Sequence, residues 1–221
     1  MQERSGWQQH NSETERPWPG RQPGGARWVV ADDLHTLDIS SNERWPERVA
    51  DVMAAAISDA VSRTGRCLMA LSGGSTPAPA FHELASRDEL PWDKVTILQV
   101  DERLVPSDDS DRNLLQQQEA FGSVGAQWLP LPIDELLAVA DQPDADARFA
   151  AILDRFCFEL VDLADDPPKL DLVHLGLGDD GHTASLVPGD RLLGEMRDYV
   201  GLTDLYTARG FKLFCARHRF G

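Results

Sequence analysis

The chain has 221 residues, 42% of them hydrophobic, enough to bury one substantial core. Its formal net charge of −16 argues against nucleic acid or an anionic membrane surface as a partner, so any anion it binds must be held by local donors against the overall field. No apolar stretch reaches spanning length, and no basic segment leads into a secretory apolar core, so neither a membrane segment nor a secretory signal is visible and a cytoplasmic protein is expected.

Residues 1–26 are rich in Gln, Glu, Arg, Gly and Pro, with Trp7 and Trp18 isolated among polar neighbours, and read as a disordered leader. A short strand is expected over Arg27–Ala31. The stretch Trp45–Arg63 sets Val49, Val52, Met53, Ala56, Ile57, Ala60 and Val61 at helical spacing after Ser40, Ser41 and Asn42, predicting a capped amphipathic helix. The apolar run Cys67–Leu71 predicts a buried strand that empties into Ser72-Gly-Gly-Ser-Thr-Pro77 and then a helix over Ala78–Ser86. A second β-rich run, Val95–Val100, ends in Asp101-Glu-Arg103. Helices follow over Arg112–Phe121 and Ala145–Leu163, with a short strand at Trp128–Ile133 between them. Asp165-Asp-Pro-Pro168 stops the last helix. A third apolar run then leads into Gly176-Leu-Gly-Asp-Asp-Gly-His182. Alternation of apolar runs with helical patterns predicts a single α/β domain without internal repeats. Cys67, Cys157 and Cys215 show no paired or metal-type spacing, and their odd number suits reduced thiols.

Three loops carry the chemistry. In the first, Gly73 and Gly74 allow a tight turn with outward N–H groups, Thr76 can cap a helix, and Pro77 suits the first helical position. Such N–H groups at a helix start favour a phosphate; the plainer alternative is an ordinary strand-to-helix turn. In the second, Arg103 offers a forked cation for a phosphoryl group, and Asp101 can hold that arginine or a sugar hydroxyl; the alternative is a solvated charge cluster. The third presents His182 on a glycine-rich loop at the end of a buried run, where open α/β sheets bind ligands. Imidazole has an ordinary pKa of about 6.5 and can accept a proton near neutrality. His174, inside the preceding apolar run, reads as a packed core residue.

Leu71–Pro77, Asp101–Pro106 and Gly176–Pro188, in this order, resemble the 6-phosphogluconolactonase family, with its Leu-Ser-Gly-Gly-Ser-Thr-Pro, Asp-Glu-Arg-x-Val-Pro and Gly-x-Gly-x-Asp-Gly-His-Thr-Ala-Ser-Leu-x-Pro motifs. The resemblance spans about Trp28 to Pro188. It implies a three-layer α/β fold, an open, mostly parallel, Rossmann-like sheet with helices on both faces. The implied activity is hydrolysis of 6-phospho-D-glucono-1,5-lactone to 6-phosphogluconate in the oxidative pentose phosphate pathway, with no metal or organic cofactor. A small phosphosugar lactone is then the partner, with oligomeric state left open. His182 would be the general base and Asp180 would orient its ring or contact a sugar hydroxyl. Ser72, Gly73, Gly74, Ser75 and Thr76 would hold the phosphate with Arg103, beside Asp101.

Two other enzymatic readings are weaker. Gly176-Leu-Gly-Asp-Asp-Gly181 formally satisfies a dinucleotide fingerprint, but Pro188 and Gly189 interrupt the chain where a long helix should open. Glucosamine-6-phosphate deaminases share a similar phosphate loop and Asp-Gly-His turn, yet carry glutamate where this chain has Val187 and Asp-Glu-Tyr where it has Asp101-Glu-Arg103. The chain departs from the lactonase pattern at its end. The lactonase-like region is expected over residues 27–206, incomplete at its C-terminus, followed by an atypical tail, 207–221, bearing Arg209, Lys212, Arg217 and Arg219 and no acid. A frameshifted or prematurely ended reading frame would produce such a tail. An inactive truncated phosphosugar-binding protein is therefore the non-enzymatic alternative.

Overall fold

A computed structural model describes residues 27–29, 36–38, 44–164, 170–189, 200–202 and 212–215. The expected leader, the Ser40–Asn42 cap and Asp165–Pro168 lie outside the described residues. The chain divides into residues 1–42 and 43–221. In the first unit Arg27–Val29 (β1) pairs antiparallel with Thr36–Asp38 (β2), Trp28 opposite Leu37.

The second unit opens with α1, Trp45–Thr64. Ala50, Met53, Ala54, Ile57 and Ala60 are buried at spacings of three and four, so one face of the helix enters the core. Val52, expected on that face, is 63% exposed, because the buried stripe runs through its neighbour Met53. Arg44 stands at the N-cap without a side-chain bond, and Gly65, at φ +80, ends the helix by donating to Val61 O at 2.9 Å.

Cys67–Leu71 (β3) is buried at every position, which a strand achieves when both faces of its sheet are covered. Ala78–Ala85 (α2) follows, then Val95–Gln99 (β4), Asp101–Arg103 (β5), Asn113–Phe121 (α3), Gln127–Trp128 (β6), Ile133–Val139 (α4), Ala145–Ala164 (α5) and Leu172–Val173 (β7). β6, β4, β3 and β7 lie side by side in that order, all parallel, with Cys67 opposite Val95 and Met69 opposite Leu172. Alternation along β3 divides the core. Cys67, Met69 and Leu71 pack with α1, α2 and α3 through residues such as Ile57, Phe81 and Phe121. Leu68 and Ala70 pack on the other face with α4 and α5 through Ile133, Leu136, Phe156 and Leu160. Helices thus cover both faces of a parallel sheet, the expected three-layer α/β class. No helix among the described residues is long and apolar enough to cross a membrane.

Several local expectations change. The predicted strand over Trp128–Ile133 is only the two residues of β6, since Pro130 and Pro132 donate no N–H to a ladder and Ile133 opens α4. Asp101–Arg103 is no solvated cluster. It forms a strand in an antiparallel sheet with Val200–Leu202 (β8) and Lys212–Cys215 (β9), in the order β5-β9-β8. β9 lies within the segment set apart as a basic tail. Thr76 caps no helix: Pro77 holds the N-cap position, and the first-turn proline of α2 is Pro79.

Candidate active site

The sheet order places the site. From β3 the chain grows outward through β4 to β6, while β7 adds to the opposite side of β3, so the strand order reverses between β3 and β7. Ligands of open α/β sheets bind at such a reversal. A cavity of about 340 Å³ lies there, lined by Ser72, Gly73, Gly74 and Thr76 after β3, by Arg103 on β5 and by His182 after β7. That volume suits a small molecule.

The first wall is set by close approach. A Cβ on Gly73 would fall 1.9 Å from Asn113 Oδ1, so only glycine lets this loop lie against α3. Gly74, at φ +102, donates its N–H to Gln116 Oε1 at 2.7 Å. Ser72 is buried, whereas Ser75 is exposed and stands outside the cavity lining. A buried amide pair holds the loop from beneath: Gln117 Nε2 donates to Leu71 O at 2.9 Å, and Gln99 Nε2 donates to Gln117 Oε1 at 2.9 Å.

Glu102 is fully buried, and it anchors the second wall. Its Oε1 accepts the N–H groups of Arg103 and Asn113, each at 2.7 Å, and its Oε2 accepts that of Leu114 at 2.8 Å. The carboxylate thus caps the start of α3 and fixes the backbone of Arg103. Arg112, also buried, lies 3.6 Å from Glu102 Oε2 and donates to Val105 O and Asp134 Oδ1, each at 3.1 Å. Burial pushes the Glu102 carboxyl up, against the downward pull of the three N–H donors and Arg112. Arg103 lines the cavity with its Nε buried and unbonded among the described residues. Asp101 does not line the cavity. It is buried, accepts the Ser185 hydroxyl on Oδ2, and lies with its carbonyl 2.7 Å from Asn113 Nδ2. Asp101 therefore ties the His182 loop to α3 and β5.

The third wall is a tight loop and not a helix start. Gly178 N–H donates to His182 O at 2.8 Å, Gly181 takes φ +83, and Thr183 Oγ1 donates to Gly176 O at 2.9 Å. His182 Nδ1 lies 2.5 Å from Asp180 Oδ1, which also accepts the His182 N–H at 3.1 Å. The His182 ring, bonded to the carboxylate, holds Asp180 below its ordinary value. Asp180 stands outside the cavity lining and reaches it through His182.

His174 is more than core packing. Its Nδ1 lies 2.8 Å from Ser72 Oγ, and the residue lines the cavity. Sequence reasoning also passed over Asn113, Gln99, Gln117 and Ser185. Asn113 had a legible signal, a polar side chain at the predicted start of a helix, whereas the buried glutamines are visible only through their partners. Among the described residues no three His, Cys, Asp or Glu side chains converge as metal ligands would.

An α/β scaffold thus brings a glycine-rich loop, an arginine and an Asp-held histidine around one cavity. Residues 40–208 match the family of glucosamine-6-phosphate isomerases/6-phosphogluconolactonase, and the chain belongs to that family. A 6-phosphogluconolactonase of Nostoc sp. is 36% identical over 152 residues, covering 68% of this chain and 61% of the relative. One of Rhizobium meliloti is 38% identical over 160 residues, covering 69% and 60%. The chain thus spans about three-fifths of the length of these relatives. Among solved structures, a 6-phosphogluconolactonase of Trypanosoma cruzi superposes with a TM-score of 0.68 at 23% identity, covering 80% of this chain and 72% of the other. One of Shewanella baltica gives 0.63 at 24%, with the same coverage. These likenesses bear on the fold.

Proposed function

We propose that the chain hydrolyses 6-phospho-D-glucono-1,5-lactone to 6-phosphogluconate, with His182 as general base. One observation carries the reading: a histidine paired at 2.5 Å with a carboxylate lines the same cavity as the Ser72–Thr76 loop and Arg103. With Nδ1–H donated to Asp180, the proton-accepting atom of the ring is Nε2. Water loses a proton to Nε2 as its oxygen bonds to the lactone carbonyl carbon. Collapse of the tetrahedral intermediate breaks the bond to the ring oxygen, which takes the proton back from His182. Loop N–H groups other than that of Gly74, which Gln116 engages, hold the distant phosphate with Arg103, so its binding energy sets the carbonyl against the water. The relatives' names support this reading over deamination, as does Val187 in place of the deaminase glutamate.

The test is lactone hydrolysis by the purified chain, with spontaneous hydrolysis subtracted. Turnover lost in His182→Ala while phosphosugar binding persists supports the assignment; equal turnover removes His182 as the base. Arg103→Ala should chiefly raise KM.

A further inference from the structure

Ser72 and His174 are the first residues beyond β3 and β7, the two strands between which the sheet order reverses. His174 N–H donates to Ala70 O at 2.9 Å, which extends the parallel ladder by one residue and fixes the height of the ring beside Ser72. Phe81 of α2 meets the ring edge-on, at 5.1 Å between centroids and 75° between planes, and limits its rotation. Burial lowers the imidazole pKa, so the ring is neutral near pH 7 and carries one N–H. Both residues line the cavity with Gly73, Gly74 and Arg103.

A hydroxyl and a neutral imidazole can share their hydrogen bond in two senses. If Ser72 donates to Nδ1, its oxygen turns lone pairs on the cavity and repels an anion. If Nδ1–H donates to Ser72 Oγ, the hydroxyl proton is released to an acceptor in the cavity. An anionic oxygen held by Arg103 and the loop selects the second sense. We propose that His174 is a positioning residue which, as an Nδ1–H donor, makes Ser72 a hydrogen-bond donor to the anionic group of the substrate. This rests on the phosphosugar reading above.

The test uses inorganic phosphate and 6-phosphogluconate as calorimetric probes of the whole chain. His174→Leu and Ser72→Ala should each weaken binding roughly tenfold, the usual range for one hydrogen bond to a charged group. The same loss should appear in KM for the lactone rather than in kcat. His174→Asn, whose amide N–H replaces Nδ1–H, should restore most of the affinity, and the double variant S72A/H174L should bind no more weakly than the weaker single one. Independently of any variant, 15N NMR of histidine-labelled wild-type protein at saturating phosphate should place the His174 proton on Nδ1. Wild-type affinity in His174→Leu, additive losses in the double variant, or a proton on Nε2 would each overturn the positioning role alone. Phosphate binding without lactone hydrolysis overturns the functional reading alone, and absence of phosphate binding overturns both.

Discussion

Gly178 lies so close to His182 that a Cβ on it would stand 2.2 Å from ring atoms Cε1 and Nδ1. The glycine sets the ring's position by leaving room for it, in a loop whose Gly178 N–H also returns to His182 O. Gly178→Ala should therefore displace the imidazole. We expect kcat to fall by at least about tenfold, since small misplacements of a reacting group cost that much or more. Thermal stability should change little, because Gly178 is half-buried at the edge of the fold. An unaltered kcat would show that the ring is free to relocate.

Asp180→Asn removes the carboxylate that holds His182. Turnover should drop by about a hundredfold, at the low end of the range for an acid–base group, with KM little changed. Because Asp180 lies below its ordinary value, it stays ionised through pH 5, so an acidic limb above that pH cannot be its titration. A pH–rate profile of the wild-type chain checks this second point.

Glu102→Ala leaves three backbone N–H groups without their acceptor and removes the carboxylate that lies 3.6 Å from the buried Arg112. Leaving these three donors unsatisfied costs about 3 kcal/mol or more, at about 1–3 kcal/mol each, which should be visible as a large fall in the urea midpoint. Arg103 is carried on the same backbone, so whatever protein remains folded should also show a raised KM. A loss below about 1 kcal/mol would mean that water replaces the carboxylate.

His174 makes stability depend on pH. Its folded pKa is lowered by burial, so as pH falls below about 6.5 the unfolded chain takes up a proton before the native one does. Stability is fully present above that pH and declines from there toward the lower folded pKa. Between pH 7.5 and 5.5 the wild-type chain should therefore lose more stability than His174→Asn, as read by urea unfolding at both pH values. Equal losses would show that the ring ionises in place.

Cys67 is buried in β3, and burial pushes its thiol up to about 12. A thiol so rarely ionised is a poor nucleophile. Iodoacetamide at pH 8 should leave it unmodified in the folded chain and label it fully in urea, as peptide mass spectrometry would show.

The sequence by itself determined the local chemistry. Glycines at 73, 74 and 181, proline at 77 and 188, and apolar runs of strand length specify strands that end in open loops, because turn geometry and capping depend on residues a few positions apart. It also carried the family, through the motifs at Leu71–Pro77, Asp101–Pro106 and Gly176–Pro188, and the three-layer class came with that resemblance. Only the tertiary structure decided which loops meet. Insertion of β7 beside β3 brings His174 to Ser72 across 102 positions, and no local pattern encodes that adjacency. The same holds for Glu102, whose charged neighbours suggested surface, yet whose carboxylate is buried because the start of α3 supplies N–H donors at the right place. Strand order follows from the burial of the whole core, a sum over many weak and distant contacts, and a site built on strand ends takes its final geometry from that sum.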